Sequence, residues 1–317
     1  MRTPVILIAL LGSGMAQAAP DCAPLGTVEY WQAADPDTVT TCLQQGWQPN
    51  TPIVQTAVPL HLAILSDDVQ TVLRLLQGGA NPELEISNGV RPLTMAVMRG
   101  SQDIVPVLVH YGASVHTSDP ARFTPLHHAA KRNAVGIATV LLDAGAPIEA
   151  RTREGWRPLH VAAMFGAADM VDLILSRGAD IEARDQDGAT ALNLMASRPD
   201  PTVMQRLLDA GARPNTQLPN GLRPLHGAAM AGSAEAVALL VNKGAEVDAT
   251  TVEGFTALHG AVMAQQIGVV QALLDAGANL RKSHVQHGTA LDLAQRLPNT
   301  DISAAIVTML AEASSKP

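Results

Sequence analysis

The chain has 317 residues, of which 47% are hydrophobic but only 3% are aromatic. A core of this composition is aliphatic and rich in alanine. The formal net charge of −8 gives no overall attraction for nucleic acid or for anionic lipid, since both require net or clustered Lys and Arg. The composition therefore argues against a nucleic-acid-binding protein and against a membrane-surface protein.

Residues 1–18 have the pattern of a bacterial-type secretory signal peptide. Arg2 precedes an apolar run at 5–11, and Ala16 and Ala18 form an A-x-A cleavage pattern. The run is well short of the roughly 20 residues that a bilayer span needs, which disfavours an uncleaved anchor and membrane insertion. We therefore expect an exported protein, with the periplasm as the expected compartment and the extracellular medium as the alternative.

Two residue types recur at intervals of 33 residues without interruption. The leucine series is Leu60, Leu93, Leu126, Leu159, Leu192, Leu225, Leu258 and Leu291. The glycine series is Gly46, Gly79, Gly112, Gly145, Gly178, Gly211, Gly244 and Gly277. Two markers in one register define an internal repeat, and a period of this length indicates a repeat architecture.

Each unit predicts two helices and an extended connection. Proline precedes the repeated leucine where its fixed φ suits a first helical turn, at Pro59, Pro92, Pro125, Pro158 and Pro224. Small residues such as Ala162 and Ala163 follow and let a second helix approach closely. The second helix has apolar residues three, four and seven positions before its glycine, which closes it in the left-handed conformation. The next residues run extended to a turn such as Asp187-Gly188, a hairpin signal.

The repeated motifs identify a family resemblance. TPLHHAA at 124–130 and RPLHVAA at 157–163 recur in register with the closing sequence DAGA, for example at 143–146. With these motifs the chain resembles the ankyrin repeat family from about residue 28 to about residue 312. The resemblance implies an all-α fold, an ankyrin-repeat α-solenoid of about nine 33-residue helix-turn-helix-hairpin units. Such units stack because none can bury its own apolar face.

The resemblance also divides the chain. After the signal peptide, residues 19–57 are expected to hold an N-terminal capping segment with a degenerate first repeat. Residues 58–288 are expected to form seven full ankyrin repeats. Residues 289–317, which lack a closing glycine, are expected to form a C-terminal capping repeat.

The two cysteines, Cys22 and Cys42, both lie in the N-terminal capping segment. Because an exported chain meets an oxidising compartment, we predict a disulfide between them, with two unpaired core residues as the alternative. Closing this loop would contribute roughly 3 kcal/mol in the chain-entropy model. The bridge is expected to hold an N-terminal strand over the first layer of the repeats.

Histidines invite a catalytic or metal-binding interpretation, but most follow the repeat. Those directly after the repeated leucine are His61, His127, His160, His226 and His259, and the same place holds Thr94, Asn193 and Asp292 in other units. The resemblance implies that they tie the helix start to neighbouring backbone. His284 and His287 lack a nearby carboxylate or thiolate in the sequence and make a poor zinc site. Since no hydrolase, metalloprotease or phosphate-loop motif is present, we expect no catalysis, metal or cofactor.

Some residues lie at positions of the repeat that face the surface and are not needed to form the repeat. In ankyrin proteins the concave groove is formed by the extended connections, here called fingers, and by the solvent side of the first helices. The predicted partner-binding residues at these phases are Met98, Arg99, Phe123, Lys131, Arg132, Trp156, Met164, Phe165, Arg198, Leu222, Met230, Phe255 and Met263. Interfaces favour aromatic residues, Met and Arg. The alternative is that the aromatic side chains brace the fingers against the next unit.

We therefore predict a monomeric, non-catalytic interaction module that binds a protein partner, and neither nucleic acid nor membrane. One alternative is a small-molecule or metal-binding enzyme that uses His127 and His128. The other is a passive structural spacer of the cell envelope.

Two departures from the family pattern lead to further expectations. Arginine replaces the usual Thr at positions 91, 157 and 223. The aliphatic stems of Arg91, Arg157 and Arg223 are expected to lie along the protein surface, with the guanidinium groups in water. The finger before Thr124 reads SDPARF, without an Asp-Gly turn, and is expected to have a bent tip.

Overall fold

A computed structural model describes residues 21–54, 57–198, 200–298 and 300–315. The signal peptide expected at residues 1–18 lies outside them. The chain forms two compact units that divide between Asn81 and Pro82.

In the unit before Pro82, the first elements of the described residues are two short 3-10 helices, Ala23–Gly26 and Glu29–Gln32, where the sequence predicts a strand. The helices α1, Pro36–Gln44, α2, Pro59–Leu65, and α3, Val69–Gln77, follow. The strand prediction is wrong because Leu25 and Trp31 are both buried and the Trp31 Nε1–H donates to the Leu25 carbonyl at 3.1 Å. Six residues of extended chain would separate them by ~20 Å.

Cys22 and Cys42 lie at disulfide distance, with Cα atoms 5.7 Å apart. Cys42 is fully buried in α1, and Cys22 directly precedes the first 3-10 helix. The pair therefore ties the turns around Trp31 to the first helix of the repeat architecture.

The unit from Pro82 onwards consists of helix pairs. The first helices of the pairs are α4 Pro92–Arg99, α6 Pro125–Lys131, α8 Pro158–Met164, α10 Ala191–Met195, α12 Pro224–Ala231, α14 Ala257–Met263 and α16 Ala290–Arg296. The second helices are α5 Ile104–His110, α7 Val135–Asp143, α9 Ala168–Ser176, α11 Thr202–Asp209, α13 Ala234–Asn242, α15 Ile267–Asp275 and α17 Asp301–Ser315. Each first helix packs against the first helix of the next pair, from α4 to α16. This stacking confirms the predicted all-α repeat solenoid.

The two sequence markers have the expected structural roles. The repeated leucines from Leu60 to Leu258 are buried, and the five prolines begin their helices as predicted. All eight repeated glycines have positive φ at the end of a second helix. A second position, between the two helices of a pair, also has the left-handed backbone conformation. The sequence did not reveal it because only some repeats have glycine there. Gly100, Gly166 and Gly232 occupy it, but so do Asp67, Asn133 and Gln265.

The fingers are shorter than the predicted hairpins. A typical finger is closed by the Thr152 N–H donating to the Trp156 carbonyl at 2.9 Å and the Gly155 N–H to the Thr152 carbonyl at 3.1 Å. Among the residues that the structure describes, the fingers form one two-stranded sheet, in which β1, Ser283–His284, pairs antiparallel with β2, Gly288–Thr289.

The finger at SDPARF keeps the same turn, so the expectation of a bent tip is wrong. The Asp119 N–H donates to the Phe123 carbonyl at 2.9 Å, and the Arg122 N–H to the Asp119 carbonyl at 2.8 Å. Arg122 takes the glycine place with φ of 64°. The Asp119 carboxylate stabilises the turn by accepting the N–H groups of Ala121 and Phe123, both at 2.9 Å.

Side-chain acceptors at one phase of the repeat link consecutive fingers, a feature that the sequence did not reveal. For example, Glu149 accepts the Asp180 N–H at 2.9 Å and Asp248 accepts the Asn279 N–H at 2.7 Å. The acceptors are Asn50, Glu83, Glu149, Glu182, Asn215 and Asp248, and each bonds the residue 31 positions later. Because this position holds Asn in some repeats and Glu or Asp in others, no single residue type marks it.

Candidate functional site

Four of the repeat histidines, His127, His160, His226 and His259, are structural ties between neighbouring repeats. His160 is fully buried, and its Nδ1 accepts the Arg157 N–H at 3.1 Å. Its Nε2 lies 3.0 Å from the Ala183 carbonyl and 3.2 Å from that of Ala189. Since Nδ1 faces a donor and Nε2 faces acceptors, the hydrogen is on Nε2 and the ring is neutral.

Burial also keeps these rings neutral. It lowers the pKa of His127 to about 4, although hydrogen bonding to the Trp156 carbonyl acts in the opposite direction. Burial likewise lowers the pKa values of His160, His226 and His259. A ring with both nitrogens occupied by backbone is poorly placed to act as a base or to bind a metal.

Two other histidines near the fingers, His128 and His284, lie close to carboxylates. The Nε2 of His128 lies 3.0 Å from Asp119 Oδ2, and burial lowers the pKa of His128. The Nε2 of His284 lies 3.3 Å from Glu253 Oε2, so the expectation that His284 has no carboxylate nearby is wrong. His284 also stacks on His287, with ring centroids 4.8 Å apart. Within the ranges described above, no group of three or more His, Cys, Asp or Glu could hold a metal ion.

Part of the predicted partner-binding set is exposed. Phe165 is 50% exposed and Met98 is 45% exposed, and Met230 and Met263 are also exposed. The exposed cationic members of the set are Arg99, Lys131, Arg132 and Arg198. Lys131 Nζ lies 5.1 Å from the centre of the Phe165 ring, a cation–π contact.

These four cations take part in none of the ion pairs found among the described residues, although they lie in an acidic chain. The Arg132 guanidinium donates instead to the Arg99 carbonyl at 3.1 Å, which brings two cationic residues of neighbouring repeats together. These residues bring cations that form no ion pair among the described residues next to one exposed aromatic ring. We call Arg99, Lys131, Arg132 and Phe165 the cationic patch.

The other members of the predicted set are only half-buried: Phe123, Trp156, Met164, Leu222 and Phe255. The ring of Phe123 lies 5.5 Å from those of His127 and His128. Phe255 lies 5.6 Å from His259 and from His284. Phe255 therefore contacts the next repeat at His284, as in the alternative interpretation of the aromatic residues, whereas Phe123 packs against the first helix of its own repeat.

Three arginines expected to lie along the surface as stems are instead ion-paired with glutamates. They differ from the cationic patch because a carboxylate already compensates each guanidinium. The pairs are Arg91 with Glu83 at 2.8 Å and Glu85 at 2.6 Å, Arg157 with Glu149 at 2.7 Å, and Arg223 with Glu246 at 2.6 Å. The sequence did not reveal these pairs because their spacing varies.

Stacked helix pairs joined by short fingers, with histidine ties between repeats, define an α-solenoid repeat protein. The family model for ankyrin repeats matches the chain in three copies, at residues 30–119, 112–185 and 192–284. The chain therefore belongs to the ankyrin repeat family.

One similar solved structure is the crystal structure of the ankyrin repeat domain of Bcl-3, described as a unique member of the IkappaB protein family. It is 31% identical, with a TM-score of 0.62, and the match covers 69% of this chain and 98% of that chain. No curated protein matches the chain significantly. In the part of the chain that the structure describes, no helix is long and apolar enough to cross a membrane.

Proposed function

We propose that this protein is an exported, non-catalytic interaction module that binds a partner protein through the concave face formed by its fingers and first helices. The observation that carries the proposal is the half-exposed ring of Phe165 beneath the Lys131 ammonium. Neither side chain is needed for the stacking of the repeats.

The composition of the surface supports a protein partner. Exposed Met and aromatic side chains are typical of binding surfaces, and Met adapts its shape to the partner. Met98, Met230 and Met263 occupy the same phase in different repeats and are all exposed. The same phase therefore presents a flexible apolar side chain in several repeats.

Charge adds selectivity. The cationic patch has three positive charges without a carboxylate partner, so an acidic surface can bind it without displacing an existing ion pair. We propose that the partner presents acidic side chains at this end of the surface.

The fold supports preorganised binding. Histidine ties such as that of His160, and side-chain acceptors such as Glu149, hold consecutive fingers in place. A surface held in this way loses little conformational entropy when a partner binds.

The proposal is tested with Phe165→Asp, which places a negative charge at the centre of the cationic patch. Ala238→Asp is the matched control, because Ala238 is exposed on a second helix, α13. Both purified variants are used to capture proteins from the exported fraction of the source cells. We expect specific proteins to bind the wild type and Ala238→Asp but not Phe165→Asp. Identical recovery with all three would contradict the proposal and favour the passive spacer.

Export itself is part of the proposal. It is supported by the pattern of residues 1–18 and by the cysteine pair at disulfide distance. Expression of the full chain, fractionation and N-terminal sequencing of the mature protein test it. We expect the mature protein outside the cytoplasm to begin at residue 19, and an intact N-terminus in the cytoplasm would contradict export.

A further inference from the structure

Two adjoining cavities open at the fingers and first helices of the later repeats. One has a volume of about 610 Å³ and the other about 400 Å³. They share Leu222 and Met230 in their walls, so they adjoin at these two side chains, and we call the two cavities together the cleft. The larger cavity is also lined by Val252 and Phe255, and the smaller one by Leu218 and Gly227.

Glycine lies beside the cleft at a position where other repeats have a side chain, and it lets neighbouring first helices approach closely. Gly227 and Gly260 occupy the phase that holds His128, Val161 and Leu194 in preceding repeats. A Cβ atom on Gly260 would lie 3.0 Å from Met230 Cγ and 3.4 Å from Phe255 Cε1, both in the wall of the cleft. One on Gly227 would lie 3.0 Å from Ala196 Cβ. Neither glycine has a positive φ, so the backbone conformation does not require glycine at either position.

The walls of the cleft favour an uncharged occupant. The charged residues that line it already have partners, since Arg223 forms an ion pair with Glu246 at 2.6 Å and the Glu253 carboxylate lies 3.3 Å from the His284 ring. The other polar groups include the amides of Asn220 and Gln286, which can bond to a peptide backbone. Apolar walls with a few amides at the rim are typical of pockets that bind an apolar side chain.

The exposed fingertips extend the apolar surface at the mouth of the cleft. Val252 is 77% exposed, and Val285, one repeat later, is 75% exposed. These two valines of consecutive fingers therefore place uncharged apolar surface next to the cavities. A ligand in the cleft would therefore also bury fingertip area that is now in water.

We infer that this cleft, lined by Leu222, Met230, Phe255 and Gly227, binds an extended peptide segment of the partner. Two apolar side chains of that segment would occupy the two cavities. The inference rests on the proposed function and adds the chemistry of the recognised segment. Neighbouring first helices are about 8–10 Å apart. Side chains two and four residues apart in an extended chain are about 7 and 13 Å apart, which brackets this spacing. The two apolar side chains are therefore two or four residues apart, since only even separations place them on the same side of an extended chain.

The probe is a phage-displayed library of random dodecapeptides, selected on the immobilised full mature chain. Enriched peptides are expected to carry two Leu, Ile, Met, Phe or Trp residues at this spacing. Their affinity is then measured for Gly227→Leu, which fills the cleft, and for Met230→Glu, which charges its wall. The matched control is Gly136→Leu, because Gly136 is an exposed residue of α7 with no atom within 4 Å of an added Cβ. Thermal unfolding of each variant confirms folding, and Met230→Glu provides a test that does not depend on packing at Gly227.

We expect both cleft variants to weaken peptide binding about tenfold or more, and the control to leave it unchanged. No enrichment, or equal binding by all variants, would overturn the inference. Binding of 8-anilinonaphthalene-1-sulfonate that depends on Gly227, without peptide enrichment, would assign the cleft to a small apolar ligand and would also overturn it.

The two proposals fail in distinguishable ways. A natural partner lost from Phe165→Asp but retained by both cleft variants would leave the proposed function standing and remove the cleft from it. If peptide binding requires the cleft but no captured protein is lost from Phe165→Asp, the cleft would remain a peptide-binding site and the proposed role of the cationic patch would fail.

Discussion

The Nε2 atom of His127 lies 3.0 Å from the carbonyl oxygen of Trp156, in the next repeat. The same contact joins His226 to the Phe255 carbonyl at 3.1 Å, and His259 to that of Gly288 at 3.0 Å. On the other side of the His127 ring, Nδ1 accepts the Thr124 N–H at 3.1 Å. A second proton would have to bind Nδ1, where it would face a donor. The contact between repeats therefore depends on a neutral ring.

Acid is expected to weaken the fold. Burial lowers the pKa of folded His127 to about 4, from the ordinary value of 6.5. As the pH falls below 6.5 the unfolded chain binds a proton that the folded ring does not, so the free energy of unfolding decreases between pH 6.5 and 4. Above 6.5 this contribution is fully present. The His127 shift corresponds to a loss on the order of 3 kcal/mol.

The measurement is urea unfolding followed by circular dichroism at several pH values. His160, His226 and His259 have pKa values shifted in the same direction by burial, so they add to the effect. A midpoint that does not change from pH 7 to pH 4.5 would contradict this prediction.

Asparagine is expected to replace a repeat histidine without its dependence on pH. The chain contains the precedent, because Asn193 accepts the Thr190 N–H at 3.1 Å and donates to the Thr216 carbonyl at 3.3 Å. His160→Asn should therefore keep most of the stability at pH 7 and lose less of it on acidification. His160→Ala leaves the Arg157 N–H without its acceptor and should cost about 2 kcal/mol or more.

Urea midpoints of the two variants at pH 7 and pH 5 give the comparison. Capture of the natural partner should remain intact in both, because His160 is buried away from the proposed surface. Equal destabilisation by Asn and Ala would show that the imidazole contributes by packing and not by its hydrogen bonds.

The repeat fold could be predicted from the sequence because its determinants are themselves periodic. Leu159 and Gly178 represent series that recur in one register, and the conformation at each member follows from its residue type. The N-terminal turns could not be predicted in this way. Leu25 and Trp31 belong to no series, and only the folded chain brings them together.

The position of a residue in the repeat predicted which side chains lie near the surface, but it did not predict which of them are exposed. Phe165 and Phe123 both fall on surface phases, yet the first is exposed and the second packs against two histidine rings. The cleft adjoins close contacts between first helices at Gly227 and Gly260. A glycine in a helix suggests close packing as readily as an open cavity, so the coordinates of its neighbours are needed to distinguish the two.

Loss of the cysteine pair is expected to destabilise the unit before Pro82. The pair encloses the chain from Cys22 to Cys42, with a sequence separation of 20, and a loop of this length contributes roughly 3 kcal/mol. Cys22→Ser is the preferred variant, because Cys42 is fully buried and its replacement would also change the packing of α1. With Trp156 of the other unit replaced by Phe, the fluorescence of Trp31 and Trp47, whose rings are 6.0 Å apart, reports unfolding of this unit. Equal midpoints for the wild type in the presence and absence of reductant would contradict the prediction.

Replacing Arg122 by glycine is expected to stabilise the protein. Arg122 has φ of 64° at a finger position where Gly155 has φ of 80°. A residue with a Cβ atom is strained in this region, and glycine is not, although glycine also increases the entropy of the unfolded chain. The balance favours Arg122→Gly by about 0.5–1 kcal/mol. Arg122→Ala is the control, because it removes the same exposed side chain but keeps Cβ. Both variants are compared with the wild type by urea unfolding. An increase in midpoint for both would assign the effect to loss of the arginine charge, whereas an increase for glycine alone would locate it in the backbone of the finger.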